Sequence, residues 1–128
     1  MQILQDKSHL QPRLELKSRL QSTYSADLAE NYVGDATYEP GTVVCFGGNK
    51  EVTQCDVDMC TRVAGVVSTN PAYLMNGQLT GSSVAPIALQ GRVPCKVVGP
   101  VRKGDLMVSA GNGFAKADND PKLGAVVG

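Results

Sequence analysis

The sequence has little of what most enzyme active sites are built from. It contains a single histidine, His9, so a Ser/His/Asp set would depend on one imidazole in a segment that shows little sign of order. No phosphate-binding glycine loop, metal-ligand set or nucleotide-binding fingerprint is evident. A small-molecule enzyme is therefore the least favoured class, and no cofactor is predicted.

The chain also lacks an excess of charge and long apolar runs. Lys plus Arg and Asp plus Glu number 12 each in 128 residues, so nothing favours nucleic acid or an anionic membrane surface as a partner. The longest apolar stretches, such as 63–67, are far shorter than the ~20 residues of a membrane span. The N-terminus has no continuous apolar core of a secretory signal. We therefore expect no nucleic acid and no membrane among the partners.

The four cysteines are Cys45, Cys55, Cys60 and Cys95. A chain of this length buries enough core to be stable without disulfides, so all four are predicted to be reduced. Cys55 and Cys60 enclose four residues, and a zinc site would need Cys45 and Cys95 to converge on that pair. The simpler interpretation is four small buried or half-buried side chains, and no metal is predicted.

Residues 1–24 differ in composition from the rest of the chain. They contain no glycine, and their leucines follow a spacing that fits neither a strand nor a helix throughout. So few apolar residues do not form a core of their own. We predict an extended N-terminal arm that packs on a neighbouring subunit, with a frayed tail as the alternative.

From Tyr38 onward, short apolar runs are separated by glycine or proline turns, a pattern typical of all-β sandwiches and barrels. Pro94 has no amide donor, so its strand should be an edge or carry a bulge. The only helical turn is predicted at Ala26–Tyr32, after Ser25. Strands are predicted at 42–46, 51–55, 62–67, 84–89, 92–98, 106–109, 113–117 and 123–127. The expected fold of residues 25–128 is all-β, a small glycine-turn-rich β-barrel or a β-clip or tulip-like domain.

Several segments of this domain carry a resemblance to phage proteins. The phrases PGTVVCFGG, VAGVV and KGDLMVSAGNGFAKA resemble the β-clip or tulip-like modules of phage structural proteins. The longer stretch from SADLAENYVGDATYEPGTVVCFGG through RVAGVVSTNPAYLMNG to ALQGRVPCKVVGP resembles the C-terminal domain of phage tail fibres and neck appendages. That family is similar to intramolecular-chaperone domains, some of which cut themselves near their N-terminal boundary. The resemblance covers roughly residues 25–128.

The resemblance implies a bacteriophage virion structural protein, the terminal domain of a tail fibre or appendage that acts in trimer folding and assembly. The expected partners are two further copies of the chain, as a homotrimer, and other virion proteins. The expected location is the virion, assembled in the host cytoplasm. A capsid decoration protein and a self-cleaving intramolecular chaperone are the alternatives.

If the domain cut itself, the expected nucleophile is Ser25, with Asp27 or Glu30 accepting its proton. Both carboxylates also have structural interpretations, because Asp27 can cap the turn that follows it and Glu30 can pair with Arg62 or Arg92. No lysine lies closer before Ser25 than position 17, which disfavours a Ser/Lys dyad. We therefore predict that the chain is not an enzyme, and keep self-cleavage as an alternative.

The segment from Ser68 to Asn76 is the longest loop that contains apolar side chains. Its residues Tyr73, Leu74 and Met75 have two possible roles. They can form a binding surface for a receptor or a neighbouring subunit, or they can fold over the barrel mouth and fill the end of the core.

Overall fold

A computed structural model of the protein describes residues 2–6 and 26–128. The described residues form nine strands and no helix, so the predicted all-β class is confirmed. The strands are β1 Gln2–Asp6, β2 Ala26–Val33, β3 Val43–Phe46, β4 Val52–Gln54, β5 Val63–Val67, β6 Tyr73–Met75, β7 Val84–Lys96, β8 Met107–Gly111 and β9 Phe114–Ala117.

Seven strands form one sheet around the long strand β7. The order is β4-β3-β5-β7-β2-β6, and β1 also pairs with β7. The β1–β7 and β2–β6 pairs are parallel, and the other pairs of this sheet are antiparallel. Strands β8 and β9 form a separate hairpin. The first residues of the predicted arm thus lie in this chain's own sheet, and the remainder of the arm lies outside the described residues.

Strand β4, at one end of the strand order, meets the end of β2, the strand that precedes β6 at the other end. A parallel bridge joins Gly34, just after β2, to Val52 of β4. The Asp35 amide donates to the Val52 carbonyl at 3.2 Å, and the Glu51 amide donates to the Val33 carbonyl at 3.0 Å. Continuous strand pairing does not close a barrel among the described residues.

The core consists of two apolar clusters, and strand β3 contributes to both. Val43 and Cys45 belong to the larger cluster, whereas Val44 belongs to the smaller one together with Val67 and Ile87. Successive side chains of a strand point to opposite faces, so β3 is covered on both sides. This is why its sequence is a continuous apolar run rather than an alternating one.

The helical turn predicted at Ala26–Tyr32 is wrong, because these residues form strand β2. They pair with β7 from Ala26 opposite Arg92 to Val33 opposite Val84. Side chains along β2 alternate between buried and half-buried. Pairing along the whole segment outweighs the weak local preference for one helical turn.

Two further strand predictions differ from the structure. Segments 84–89 and 92–98 belong to a single strand, β7, which runs on through Gly91. Segment 123–127 is not a strand, although Val126 forms an isolated bridge with Val108. Pro94 lies beyond the residues that pair with β2 and pairs, among the described strands, with β1 alone, which agrees with its missing donor.

Gly91 permits the close contact between β7 and β2, and Gly91→Ala should test this. Its φ is +109°, and a Cβ there would lie 2.3 Å from the Ala26 carbonyl oxygen and 2.8 Å from the Asp27 Cα. We expect the substitution to lower the free energy of unfolding by about 3 kcal/mol, measured by urea denaturation. Gly104→Ala is the control, because φ is +94° there but nothing lies within 4 Å. A similar loss in both variants would contradict a role for the close contact.

Candidate functional site

The carboxylate of Asp27 is buried beneath strand β2. Asp27 is 2% exposed. Neither of its carboxylate oxygens, nor the Ser68 hydroxyl, has a hydrogen-bond partner of ordinary geometry among the described residues. Burial raises the pKa of Asp27, while the nearby Ser68 hydroxyl and the backbone amide of Asp27 act in the opposite direction. Such a carboxyl holds a proton more readily than a surface aspartate, as a proton-transferring group must.

Glu30 does not share this environment. The side chains of Asp27, Ala29 and Asn31 are buried on one face of β2, and Glu30 alternates with them on the other. Glu30 acts on Tyr32, where hydrogen bonding to Glu30, followed by burial, raises the pKa of the hydroxyl to about 12. The two carboxylates predicted as alternative bases therefore cannot serve as a pair.

The remaining self-cleavage predictions have different outcomes. Ser25 lies outside the described residues. The capping role suggested for Asp27 is wrong, because a strand and not a helical turn follows. No ion pair joins Glu30 to Arg62 or Arg92 among the described residues. Of the predicted catalytic set, the structure thus shows one unusual group, the Asp27 carboxyl.

The raised pKa of Asp27 predicts a pH dependence of stability with a definite sign. At acid pH both the folded and the unfolded chain hold the proton, and the stabilising contribution of the protonated carboxyl is fully present. As pH rises, the unfolded chain releases its proton first, so stability falls until pH passes the folded-state pKa. Asp27→Asn should therefore raise the urea midpoint at neutral pH, and the gain should disappear below about pH 3.8, the ordinary pKa.

Asp105→Asn is the control with the opposite sign. The Arg102 amide donates to the Asp105 carboxylate at 2.8 Å, and this contact, followed by one from Asn119, lowers the pKa of Asp105. Loss of the Asp105 carboxylate should lower the urea midpoint at neutral pH and have little effect in acid. A midpoint for Asp27→Asn that is unchanged or reduced at neutral pH would contradict the assignment of a raised pKa.

Three buried cysteines form a second candidate site. The sulfur atoms of Cys45, Cys55 and Cys60 all lie within 4.8 Å of one another. No disulfide joins any two of them. Cys45 comes from β3, Cys55 directly follows β4, and Cys60 lies in the loop between β4 and β5. Of the two cysteines that a zinc site would have needed beside Cys55 and Cys60, Cys45 lies with that pair and Cys95 does not belong to the group.

The three thiols differ in acidity. Burial is the largest cause that raises the pKa of both Cys45 and Cys55. Burial also opposes ionisation of Cys60, but hydrogen bonding from the Arg62 amide and from the other two thiols, together with the Arg62 charge, lowers its pKa. The Arg62 amide lies 3.4 Å from the Cys60 sulfur. Of the three thiols, Cys60 therefore loses its proton most readily.

Ser109 of β8 holds the loop that carries Cys60. Its hydroxyl accepts a hydrogen bond from the Cys60 amide at 2.8 Å and donates one to the Val57 carbonyl at 2.8 Å. Its carbonyl accepts from the Met59 amide at 2.9 Å. Ser109 is fully buried. The backbone at Cys60 is thus tied to strand β8, which the sequence alone did not link to the cysteines.

Strand β6 forms an open edge of the sheet, with three exposed apolar side chains. Tyr73, Leu74 and Met75 are 74%, 44% and 40% exposed. β6 pairs with β2, and no other described strand pairs with it. The interpretation of these residues as core filling at a barrel mouth is therefore wrong, because side chains this exposed do not fill a core. The structure places all three side chains at the surface.

The edge strand is nevertheless held firmly in place. Asn31 Nδ2 donates to the Asn76 carbonyl at 3.3 Å, and Asn76 Nδ2 donates to the Asn31 carbonyl at 3.2 Å. The Ala72 amide donates to the Asp27 carbonyl at 2.9 Å. These contacts lock both ends of β6 onto β2, so the exposed side chains keep a fixed arrangement.

A sequence signal for this surface was missed. No charged residue occurs between Arg62 and Arg92, although the chain has 24 charged residues in all. Monomeric proteins commonly protect an open edge with charged side chains, especially lysine. The whole segment that contains β6 lacks this protection.

No family model, curated protein or solved structure matches this chain. What the protein does is therefore inferred from its own residues and from the resemblance described above. In the described part of the chain, no helix has the length and apolar character needed to cross a bilayer.

Proposed function

We propose that this chain is a structural domain of a phage particle that assembles as a homotrimer through the β6 edge. The observation that carries the proposal is the exposed apolar side of β6 within a segment that has no charged residue. Exposed main-chain groups and apolar side chains together form a template for pairing with another chain. Because this segment has no charged residue, its own side chains add no charge repulsion that would oppose the pairing.

The occupant of the edge is a second copy of the chain. A threefold ring uses two different surfaces of each subunit, so each copy offers its β6 edge to another face of the next copy. The resemblance of residues 25–128 to appendage domains supports the trimer, the virion location and contact with other virion proteins. The same resemblance supports a position at the end of a tail fibre or appendage, where the domain helps the chains to fold in register.

The finer architecture that goes with this role is an incompletely closed barrel of the β-clip or tulip type. The contact between the end of β2 and β4 supports it, because it brings the two sides of the sheet together at Gly34 and Val52. Loops and edges that remain open on such a barrel are the surfaces through which subunits meet.

Leu74→Lys tests the edge. Lysine at this position would place an unpaired charge in the interface, so we expect the dissociation constant of the trimer to rise at least about tenfold. Size-exclusion chromatography with light scattering, over a range of protein concentrations, measures this change. The expected wild-type result is a trimer, and the expected variant result is a shift towards a single chain of 13.5 kDa.

Leu123→Lys is the matched control, because Leu123 is 99% exposed and lies outside the edge. It adds the same charge to the same residue type and should leave the trimer intact. A monomeric wild-type chain at micromolar concentration would overturn the proposal. Equal dissociation of both variants would show that charge, and not the edge, controls assembly.

The buried Asp27 carboxyl favours one second candidate, self-cleavage near Ser25. A carboxyl with a raised pKa and no hydrogen-bond partner of ordinary geometry is suited to accept the proton of a nearby serine. Such a domain would assemble its trimer first and then separate from the segment before Ser25.

Intact-mass spectrometry of the purified chain tests self-cleavage. We expect two fragments that divide near Ser25, and a single uncut chain for Ser25→Ala and for Asp27→Asn. Glu30→Gln is the control and should still cut, since Glu30 lies on the opposite face of β2. An uncut wild-type chain after prolonged incubation would eliminate this candidate without affecting the trimer proposal.

A further inference from the structure

We propose that Cys45, Cys55 and Cys60 bind a thiophilic d¹⁰ metal ion, Zn²⁺ or Cu⁺, as a three-sulfur site inside the domain. Their sulfur atoms lie within 4.8 Å of one another. Zinc–sulfur bonds of about 2.3 Å in tetrahedral geometry place sulfurs about 3.8 Å apart. The observed cluster therefore needs little movement to close around one ion.

The three cysteines are arranged along the chain as the ligands of a chelating site are. Four residues separate Cys55 from Cys60, close to the spacing of two to four residues that is typical of structural zinc pairs. Cys45 comes from the neighbouring strand, since Cys45 pairs with Thr53 of β4. One ion would thus join β3, β4 and the loop before β5.

The loop is already ordered for binding. The Ser109 hydroxyl fixes the Cys60 amide and the Val57 carbonyl, both at 2.8 Å. An ion pair between Lys116 and Asp58 ties the same loop to β9. Contacts of this kind, which orient the ligands without touching the metal, reduce the ordering that binding requires.

The chemistry of the donors selects the ion. Asp56 and Asp58 lie on the same loop, but Asp56 accepts a hydrogen bond from Gln54 at 2.8 Å, Asp58 pairs with Lys116, and both are exposed. The buried donors are sulfur only, which favours soft cations over Mg²⁺ or Ca²⁺. With three protein ligands, Zn²⁺ would take its fourth ligand from solution, whereas Cu⁺ would need none.

Titration of the full reduced chain with Cd²⁺ tests the site, because cadmium replaces zinc and gives a thiolate charge-transfer band in the ultraviolet. We expect a band that saturates at a single ion per chain. Cys45→Ser, Cys55→Ser and Cys60→Ser should each lose most of it. Cys95→Ser is the matched control, since Cys95 is a buried cysteine of the same core cluster but lies outside the group, and it should retain the band.

Competition then distinguishes the two natural ions. Zn²⁺ and, under anaerobic conditions, Cu⁺ are added to the cadmium-loaded chain, and the ion that releases cadmium into the ultrafiltrate at the lower concentration is the one the site prefers. Native mass spectrometry of the wild-type chain gives the number of bound ions without using a variant. The thermal midpoint should rise with the preferred metal in the wild-type chain and in Cys95→Ser.

Three results would overturn the site. The first is a folded wild-type chain, shown by circular dichroism, that gives no charge-transfer band and retains no metal. The second is equal loss of the band in Cys95→Ser. The third is a purified chain whose mass shows two of the three thiols oxidised to a disulfide and whose reduced form retains no metal. None of these results bears on the oligomeric state, so failure here is distinguishable from failure of the trimer proposal.

Discussion

The structure depends on how closely the neighbouring strands approach β7 between Ala88 and Gly91. On one side, a Cβ at Gly65 of β5 would lie 2.2 Å from the Ala88 carbonyl oxygen. On the other, a Cβ at Gly91 would lie 2.3 Å from the Ala26 carbonyl oxygen of β2. The β2–β7 register also shifts between Leu28 and Ala29, at Leu89 of β7. Gly65 of β5 and Gly91 of β7 therefore allow β5 and β2 to approach the same short stretch of β7 from its two sides.

The two chemically unusual sites follow from this arrangement. Asp27 is paired with Gly91, so the close approach of β2 carries its side chain inward, next to Ser68, instead of leaving it in solvent. Strand β5 is held against β7 from the other side, and β3 is paired in turn with β5. Cys45 is thereby fixed in the large core cluster. Ser109 holds the loop that places Cys60 beside Cys45 in this cluster.

The sequence predicted those parts of the fold that local chemistry specifies. Strands β3, β4, β5, β8 and β9 were placed nearly correctly, because glycine and proline turns bound apolar runs of strand length. Strand β2 was missed because Ser25 followed by Asp27 and Glu30 resembles the start of a capped helical turn, and because its partner, β7, lies more than fifty positions away. Strand β6 was missed because three exposed residues give no alternation.

The candidate sites were predictable to a smaller extent. Asp27 was identified, but for a role beside Ser25 and not for its burial, which depends on the register with Gly91. Cys45 was correctly considered as a partner for Cys55 and Cys60, but Cys95 was considered equally, because spacing along the chain carries no information on which strand faces which. The sequence shows that the segment between Arg62 and Arg92 has no charged residue. This observation points to a contact surface only once β6 is known to be an edge strand.

The incomplete closure of the sheet and the open edge are one and the same feature of β2. Its first side pairs with β7 along its full length. Its second side is divided, since Leu28, Ala29 and Glu30 pair with β6 while Val33 and the residues after it contact β4. A barrel closed directly between β2 and β4 would need β4 along the whole of that side. The segment that carries β6 lies along the rest of that side instead. Because no further strand of the described residues pairs with β6, the sheet ends there in an exposed apolar edge. An edge strand of this kind presents main-chain groups to solvent, and these groups can also pair with a strand of another chain.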